Sequence, residues 1–296
     1  MSKPHTWKVN AEESGVKLIA YIKAKMGDAH SARQIKRAIE DNLCTVNGRT
    51  ERHASTTLGK GDVVAFSLGE AAPQRPKLAP RECRTHILFE DEHLFVYNKP
   101  AGVASDCADF LSKVRAHCPT AILVHRLDRD TTGALIFAKS RAIFEAFREL
   151  FHSYQVHKVY DAIVDGIPLK NRGSLENFLG QLHTYQGQAL WGEVDKQHGK
   201  YAHTAWQIEK KGQAAAWLRC SPKTGRTHQL RVHLNGMGHP ILGDYQYGRT
   251  FGCTYKPARY LLHAAELTFP HPITGQKIHV QAPLPEDFKQ ALAAIF

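Results

Sequence analysis

No apolar run in this 296-residue sequence approaches the roughly 18 residues that a membrane-crossing helix needs. The opening MSKPHTWKVN lacks the apolar core of a signal peptide. Six cysteines are present, at 44, 83, 107, 118, 220 and 253, yet no two have CxxC spacing and none joins histidines in a zinc-site pattern. HExxH is absent, which removes the main support for a zinc hydrolase. No repeat recurs at a fixed period. These absences lead to an expectation of free thiols in a reducing, cytoplasmic setting, with no membrane partner and no metal.

What is present fits a soluble globular chain with a real core: 43% hydrophobic and 23% charged residues. Lys and Arg number 39 against 28 Asp and Glu, a net charge of +11. An excess of this size favours a polyanionic partner, nucleic acid before an acidic membrane surface.

The chain divides by pattern. Residues 1–14 are polar and expected to be a loose arm. In 15–67, Val16, Leu18, Ile19, Ile22 and Met26 recur at helical spacing, and Ser31 offers an N-cap for a second helix. That helix carries an apolar stripe of Ile35, Ala38 and Ile39, with Arg33, Lys36 and Arg37 on another face. Leu43 to Arg49 reads as a strand entering an Asn-Gly hairpin turn. A basic helix beside a hairpin suits an RNA-binding platform and a solvated surface equally well. Residues 68–84, rich in Pro and Ala, read as a linker. From 85 to 296 short apolar runs alternate with turns, a strand-rich α+β pattern with a helix at 141–152.

The stretch HRLDRDTTG, residues 125–133, follows the apolar run Ala121–Val124 and places a carboxylate between two arginines. Aspartate in a turn ordinarily caps backbone N–H groups. Here Asp130, Thr131, Thr132 and Gly133 already serve the turn, and Asp128 precedes them at a strand end. Alternation would put Arg126 and Asp128 on one face. A carboxylate beside guanidinium has the character of a nucleophile or general base. A second segment, TGRTHQLRVHLNGMGHPILG at 224–243, is expected to form a helix opening at Thr227 and ending at Gly236 or Gly238. Its polar face would carry His228 and Arg231.

HRLDRDTTG resembles the HRLDxxTSG signature of the RluA/RluD-type pseudouridine synthases. EDEHLFVYNKPAG at 90–102, TGRTHQLRVHLNGMGHPILGDYQYG at 224–248 and LLHA at 261–264 resemble further motifs of that family, in family order. Residues 15–67 resemble the small RNA-binding module shared with a ribosomal small-subunit protein. The resemblance implies a mixed, mainly antiparallel sheet core with flanking helices, preceded by a small α+β RNA-binding domain. It also implies isomerisation of uridine to pseudouridine within RNA by base flipping, without any cofactor. By the same resemblance Asp128 is the catalytic carboxylate, Arg231 pairs with it, and Tyr160 is the active-site tyrosine. Arg126 fills the gap in the RNA stack, with His125, Arg226, His228 and Leu262 as further substrate-binding positions. Arg33, Lys36, Arg37 and Arg49 are the expected RNA contacts of the N-terminal module. TTG in place of TSG is a mild departure, and Lys17 replaces the module's usual arginine, keeping charge but losing the planar fork.

The expected substrate is large-subunit ribosomal RNA, with transfer RNA as the alternative, and the expected state is a monomer. The competing reading is a noncatalytic RNA-binding or ribosome-assembly factor on the same fold. A glycosidase would need a second carboxylate, for which only the nearby Asp130 offers itself.

Overall fold

Local sequence accounts for much of the N-terminal elements. A computed structural model of the chain describes residues 5–27, 30–40, 43–51, 54–67, 84–185, 188–248 and 250–296. The chain divides into two compact units, Met1–Lys77 with Gln181–Leu190, and Leu78–Gly180 with Trp191–Phe296. In the first, β1 (His5–Lys8) precedes α1 (Leu18–Met26) and α2 (Ala32–Glu40), followed by β2 (Cys44–Val46), β3 (Arg49–Thr50) and β4 (Val63–Phe66). Ser31 caps α2 reciprocally: its Oγ accepts the Gln34 N–H at 3.2 Å, and Gln34 Oε1 accepts the Ser31 N–H at 2.8 Å. Asn47 and Gly48, at φ 55° and 77°, make the expected tight turn of the β2–β3 hairpin. Leu18, Ile22, Ile35, Ile39, Val64 and Phe66 are buried together. Arg33 and Lys36 are exposed on α2. The side chains of Arg37 and Arg49, and residues 68–83 of the expected linker, lie outside the described residues.

One expectation is corrected here. His5–Lys8 is not part of a loose arm but an edge strand, paired antiparallel with β4 in a sheet ordered β1-β4-β2-β3. With Trp7 and Val9 as the only apolar residues in this stretch the alternation is too short to read, and the partner strand is distant in sequence.

The second unit is built on one large sheet. Its strands are β5 (Ile87–Glu90), β6 (Leu94–Lys99), β7 (Ile122–Leu123), β8 (Thr132–Ala138), β9 (His157–Asp165), β10 (Arg172–Tyr185), β11 (Gln188–Val194), β12 (Lys200–Lys211), β13 (Ala215–Pro222), β14 (Leu262–Pro270) and β15 (Lys277–Gln281). The order is β11-β10-β12-β13-β9-β14-β8-β6-β5, with β15 on β14 and β7 on β8. Four helices flank it: α3 (Ala108–His117), α4 (Arg141–His152), α5 (Gln229–Gly236) and α6 (Glu286–Ile295). The tips of β10 and β11 fall in the first unit. The architecture is the expected mixed, mainly antiparallel α+β core. No helix among the described residues is long and apolar enough to cross a membrane.

β6 and β8 read as continuous apolar runs because both faces are covered. Leu94, Val96, Ala134 and Ile136 pack with Phe147 of α4, while Phe95, Tyr97, Leu135 and Phe137 pack with Phe110 of α3. The run Ala121–Val124 yields only the two-residue β7, after which the chain leaves the sheet toward Asp128.

The pairing of β8 with β14 is parallel and brief, Thr132 against His263 and Gly133 against Ala264. It forces the backbones together at Gly133, where φ is +110° and a Cβ would lie 2.2 Å from the Ala264 carbonyl oxygen. Only glycine fits. Beside it the Thr132 hydroxyl lies 2.9 Å from His263 Nδ1, so the threonine keeps the hydroxyl that a serine would supply.

Candidate active site

Asp128 begins a tight turn, with the Thr131 N–H bonded to its carbonyl at 3.1 Å. Among the described residues its carboxylate caps no backbone N–H, so the ordinary role of a turn aspartate is not the one it plays. The turn is held from three sides. Lys99, at the end of β6 and fully buried, donates to the carbonyls of Pro100, Val103 and Arg129 at 2.9, 2.8 and 3.0 Å. Burial pushes the Lys99 ammonium down to about 7, against the pull of Asp130. Ser105 Oγ donates to the Leu127 carbonyl at 2.7 Å and accepts the Leu127 N–H at 2.9 Å. Arg259 donates to the carbonyls of Asp130 and Leu262 at 2.9 and 3.1 Å while its other nitrogens grip Asp287 of α6.

A carboxylate so rigidly mounted faces a buried cation. Arg231 Nη1 lies 3.6 Å from Asp128 Oδ2, the aspartate side chain being 28% exposed. This is an ion pair too long for a hydrogen bond. The bonded partner of Arg231 is instead Asp244, which accepts from Nε and Nη2 at 2.6 and 2.8 Å, and Gln246 Oε1 accepts from Nη2 at 2.6 Å. The guanidinium lies over the rings of Tyr247 and Tyr260, 4.9 and 4.5 Å from their centroids. Burial opposes its charge, but Asp244, Tyr260 and Asp128 together outweigh that cost and raise the Arg231 pKa well above its ordinary value. The expected Asp128–Arg231 pairing is therefore present as an open contact, while Asp244 orients the arginine.

His228 Nε2 stands 3.9 Å from Asp128 Oδ2, and its Nδ1 is 2.7 Å from the Tyr247 hydroxyl. Burial, with Arg231 beside it, pushes the His228 pKa down to about 4. The helix expected to open at Thr227 opens at Gln229. His228 is its N-cap, in the left-handed region at φ 55°, and so shares no helical face with Arg231. The turn is set by Gln229, whose Oε1 accepts from the Thr224 hydroxyl and the Arg226 N–H at 2.7 and 2.9 Å.

Tyr160, on β9, packs against two separate core clusters of the sheet, one containing Leu135 and the other Leu230. Burial first and the Asp128 charge second raise its phenol pKa. Burial raises Tyr260 likewise, and Tyr247 to about 12.

The remaining expected positions fare differently. The Arg126 side chain, 72% exposed, pairs with Asp106 at 3.2 Å, and its charge reaches His228, the histidine that faces Asp128. Arg129 bonds its neighbour Asp130 at 3.2 Å. Neither arginine is the guanidinium beside Asp128. His125 is held by the fold: Nε2 accepts the Ile136 N–H at 3.2 Å, its ring lies 5.4 Å from that of Phe151, and burial lowers its pKa to about 3. Arg226 Nε donates to the Tyr201 carbonyl at 2.8 Å. Leu262 is buried on β14, its carbonyl engaged by Arg259. Asp244, Tyr247, Tyr260, Lys99 and Ser105 were not singled out by sequence reasoning. Asp244 and Tyr247 lie in GDYQYG, at the end of the quoted 224–248 motif, where nothing in the sequence signalled a partner on α5. Among the described residues no group of three or more His, Cys, Asp or Glu is arranged to hold a metal ion.

The family profile described as RNA pseudouridylate synthase matches residues 93–236. The ribosomal large subunit pseudouridine synthase C of Escherichia coli K12 is 39% identical over 220 residues, covering 70% of this chain and 68% of that protein. Its namesake from Buchnera aphidicola subsp. Acyrthosiphon pisum (strain APS) is 36% identical over 222 residues, 71% of this chain and 70% of the relative. Among solved structures, human RNA pseudouridylate synthase domain containing 4 superposes with a TM-score of 0.61 at 26% identity, over 73% of this chain and 95% of that one. Identity at this level, sustained across some two thirds of both chains and through the turn that carries Asp128, makes this chain a member of the RNA pseudouridylate synthase family.

Proposed function

We propose that this chain isomerises uridine to pseudouridine in large-subunit ribosomal RNA, with Asp128 as the catalytic carboxylate. One observation carries the reading: a carboxylate in a turn fastened from three sides, freed of any capping duty, beside a buried guanidinium whose own charge is directed by Asp244. The relatives named as acting on the ribosomal large subunit favour that RNA as the substrate class.

A stacked uridine exposes neither N1 nor C1′, so the base is flipped into the pocket. Breaking the N1–C1′ bond leaves positive charge on the sugar, and the Asp128 carboxylate stabilises that charge or bonds to it. The detached uracil turns over, C5 joins C1′, and the proton lost from C5 is balanced by the proton gained at N1. No water is consumed, so the pocket must hold the base and keep water out. Tyr160 packs on the uracil with its ring. Burial keeps its phenol protonated at neutral pH, which makes it a poor base. Arg231 and His228 Nε2 keep Asp128 directed at the sugar. Arg126, exposed at the rim, fills the space the base vacates. Arg33 and Lys36 on α2 make the N-terminal unit a second, phosphate-gripping surface.

Asp128→Asn keeps the shape and removes the charge. Carbodiimide mapping of pseudouridine in ribosomal and transfer RNA, from cells carrying wild-type or variant gene, is expected to lose one or a few ribosomal stops in the variant. The purified variant is expected to bind RNA as before and turn over at least a thousandfold slower, about 4 kcal/mol of transition-state stabilisation. Comparable turnover by the variant would remove Asp128 from the chemistry and favour a noncatalytic role.

A further inference from the structure

Two exposed tyrosines stand beside the TGRTH loop, and neither is used by the chemistry above. Tyr154 is 43% exposed and Tyr201 40%. Tyr154 ends α4 in a Schellman motif: its N–H bonds the Phe151 carbonyl at 3.2 Å, and the Gln155 N–H bonds the Leu150 carbonyl at 2.9 Å. That geometry puts Tyr154 at φ 58°, where glycine is the comfortable residue and an aromatic side chain is strained. An exposed ring held in a strained conformation contributes little to the fold, and strain of this kind gathers where a side chain is used. The Lys223 ammonium lies 5.3 Å from the centre of this ring.

Tyr201, on β12, is fixed rather than free. Its hydroxyl donates to Glu176 at 2.9 Å, and its ring meets Phe178 edge-on at 5.9 Å. Its carbonyl holds Arg226 through Nε at 2.8 Å. The two phenols are close enough to interact electrostatically. The ledge adjoins the reaction centre. Arg226 is two residues from His228, and the loop that carries both is pinned at Thr224, whose carbonyl accepts from Nζ of buried Lys158 at 3.0 Å, two residues before Tyr160 on β9. Among the described residues the carboxylate on the ledge is Glu176, and it is engaged by Tyr201 and by His203 at 3.4 Å. The cations Lys223 and Arg226 therefore dominate the ledge.

Resting on the pseudouridine synthase reading, we propose that Tyr154 and Tyr201 stack unpaired nucleotides flanking the target uridine, with Lys223 and Arg226 on their phosphates. Exposed aromatic faces alternating with cations are the chemistry of single-stranded nucleic acid, since every base offers a π-face and every link a charge. Paired bases present no free face to such rings. The substrate would then be entered from an unpaired segment on this side of the uridine, which restricts target sites to loops, bulges or locally opened helices.

The test uses the full chain and a short single-stranded oligouridylate carrying one 2-aminopurine, whose fluorescence is quenched by stacking. Tyr154→Gly relieves the backbone strain while deleting the ring, so its thermal midpoint is expected to match or exceed wild type. Wild type and Tyr154→Phe are expected to quench the probe, and Tyr154→Gly to lose most of the quench with an affinity about 5- to 150-fold weaker. Tyr201→Ala is expected to do the same. The probe annealed to its complement is expected to show no difference among the variants. Lys223→Ala is expected to lower the salt slope of binding by about 0.7. Equal quenching by wild type and Tyr154→Gly would overturn the proposal and leave the rings for a protein partner. Conversion of uridine by wild type on transcribed large-subunit ribosomal RNA is measured separately. Quenching without conversion would sink the functional reading and leave the ledge, whereas conversion without ring-dependent quenching would do the reverse.

Discussion

Arg231 gives two of its nitrogens to Asp244, at 2.6 and 2.8 Å, and stops with the third 3.6 Å from Asp128. The arginine is thereby aimed at Asp128 without being consumed by it. A guanidinium neutralised solely by Asp128 would lock that carboxylate in a tight pair and lower its reactivity, whereas one anchored by a separate aspartate offers a fixed positive field. Both members of the anchoring pair are buried, with side chains 6% and 2% exposed.

That arrangement predicts the behaviour of Asp244→Asn. Removing one partner of a buried pair leaves an uncompensated charge, at a cost of about 3–5 kcal/mol. The urea midpoint is expected to fall accordingly, and residual turnover to drop at least tenfold as Arg231 closes on Asp128. An unchanged urea midpoint would mean that Asp244 is not the counter-charge.

The Tyr247 hydroxyl accepts the Trp191 N–H at 3.2 Å and lies 2.7 Å from His228 Nδ1. When the hydroxyl donates to Nδ1, the ring proton of neutral His228 sits on Nε2, the nitrogen facing Asp128. Tyr247→Phe removes the donor that favours this tautomer and the neutral form. Turnover is expected to fall about tenfold, in the range of a lost positioning hydrogen bond, and the acid limb of the pH–rate profile to move to higher pH. A variant that lost activity with an unmoved acid limb would place Tyr247 in packing alone.

Gly133→Ala is expected to be insoluble or grossly destabilised, because its Cβ would overlap the Ala264 carbonyl at 2.2 Å on a backbone already at φ +110°. Thr132→Ser is the contrasting change. It keeps the hydroxyl that meets His263 at 2.9 Å, loses one methyl, and should cost about 1 kcal/mol in urea unfolding. A well-folded Gly133→Ala would show that the parallel β8–β14 contact is not rigid.

Four histidines set the acid limit of the fold. Burial lowers His125 to about 3 and His228, His233 and His263 to about 4. The unfolded chain takes up protons at these sites as pH falls below about 6.5, and the folded chain does not. Stability is therefore lost as pH falls from about 6.5 toward 4, by up to about 1.4 kcal/mol per pH unit for each histidine still neutral. His263 makes two bonds as a neutral ring, to Thr132 at 2.9 Å and to the Ala282 carbonyl at 3.2 Å. His263→Gln should lower the midpoint at neutral pH and flatten the decline between pH 6.5 and 4.5. A decline equally steep in the variant would assign the acid sensitivity to other groups.

Much of this molecule was readable in the chain. The Ser31 capping box, the Asn47-Gly48 turn, α4 after Ser140, and the alternating strands are local patterns whose partners lie within a few residues. Asp128 stood out because its turn already held enough polar residues to satisfy itself. What failed to read shares one trait. β1 needs β4, Asp244 needs Arg231, and Lys99 needs the carbonyls of Arg129 and Val103. Each signal exists only when distant segments meet.

The helix start at Gln229 illustrates the same division. Spacing identified the apolar side of α5, but its N-terminus was set by Gln229 reaching Thr224, Arg226 and the His203 carbonyl on a neighbouring strand. That bonding turned His228 out of the helix and toward Asp128. Composition, patterning and short motifs determined by themselves most of the elements, the basic character and the turn that carries Asp128, because these depend on hydrophobic period and local hydrogen bonding. Which arginine faces that carboxylate, which acid aims it and which histidine stands beside it were decided only by the tertiary structure. Those choices depend on distances of 3 to 4 Å between segments roughly a hundred residues apart, Asp128 on the turn before β8 and Arg231 on α5.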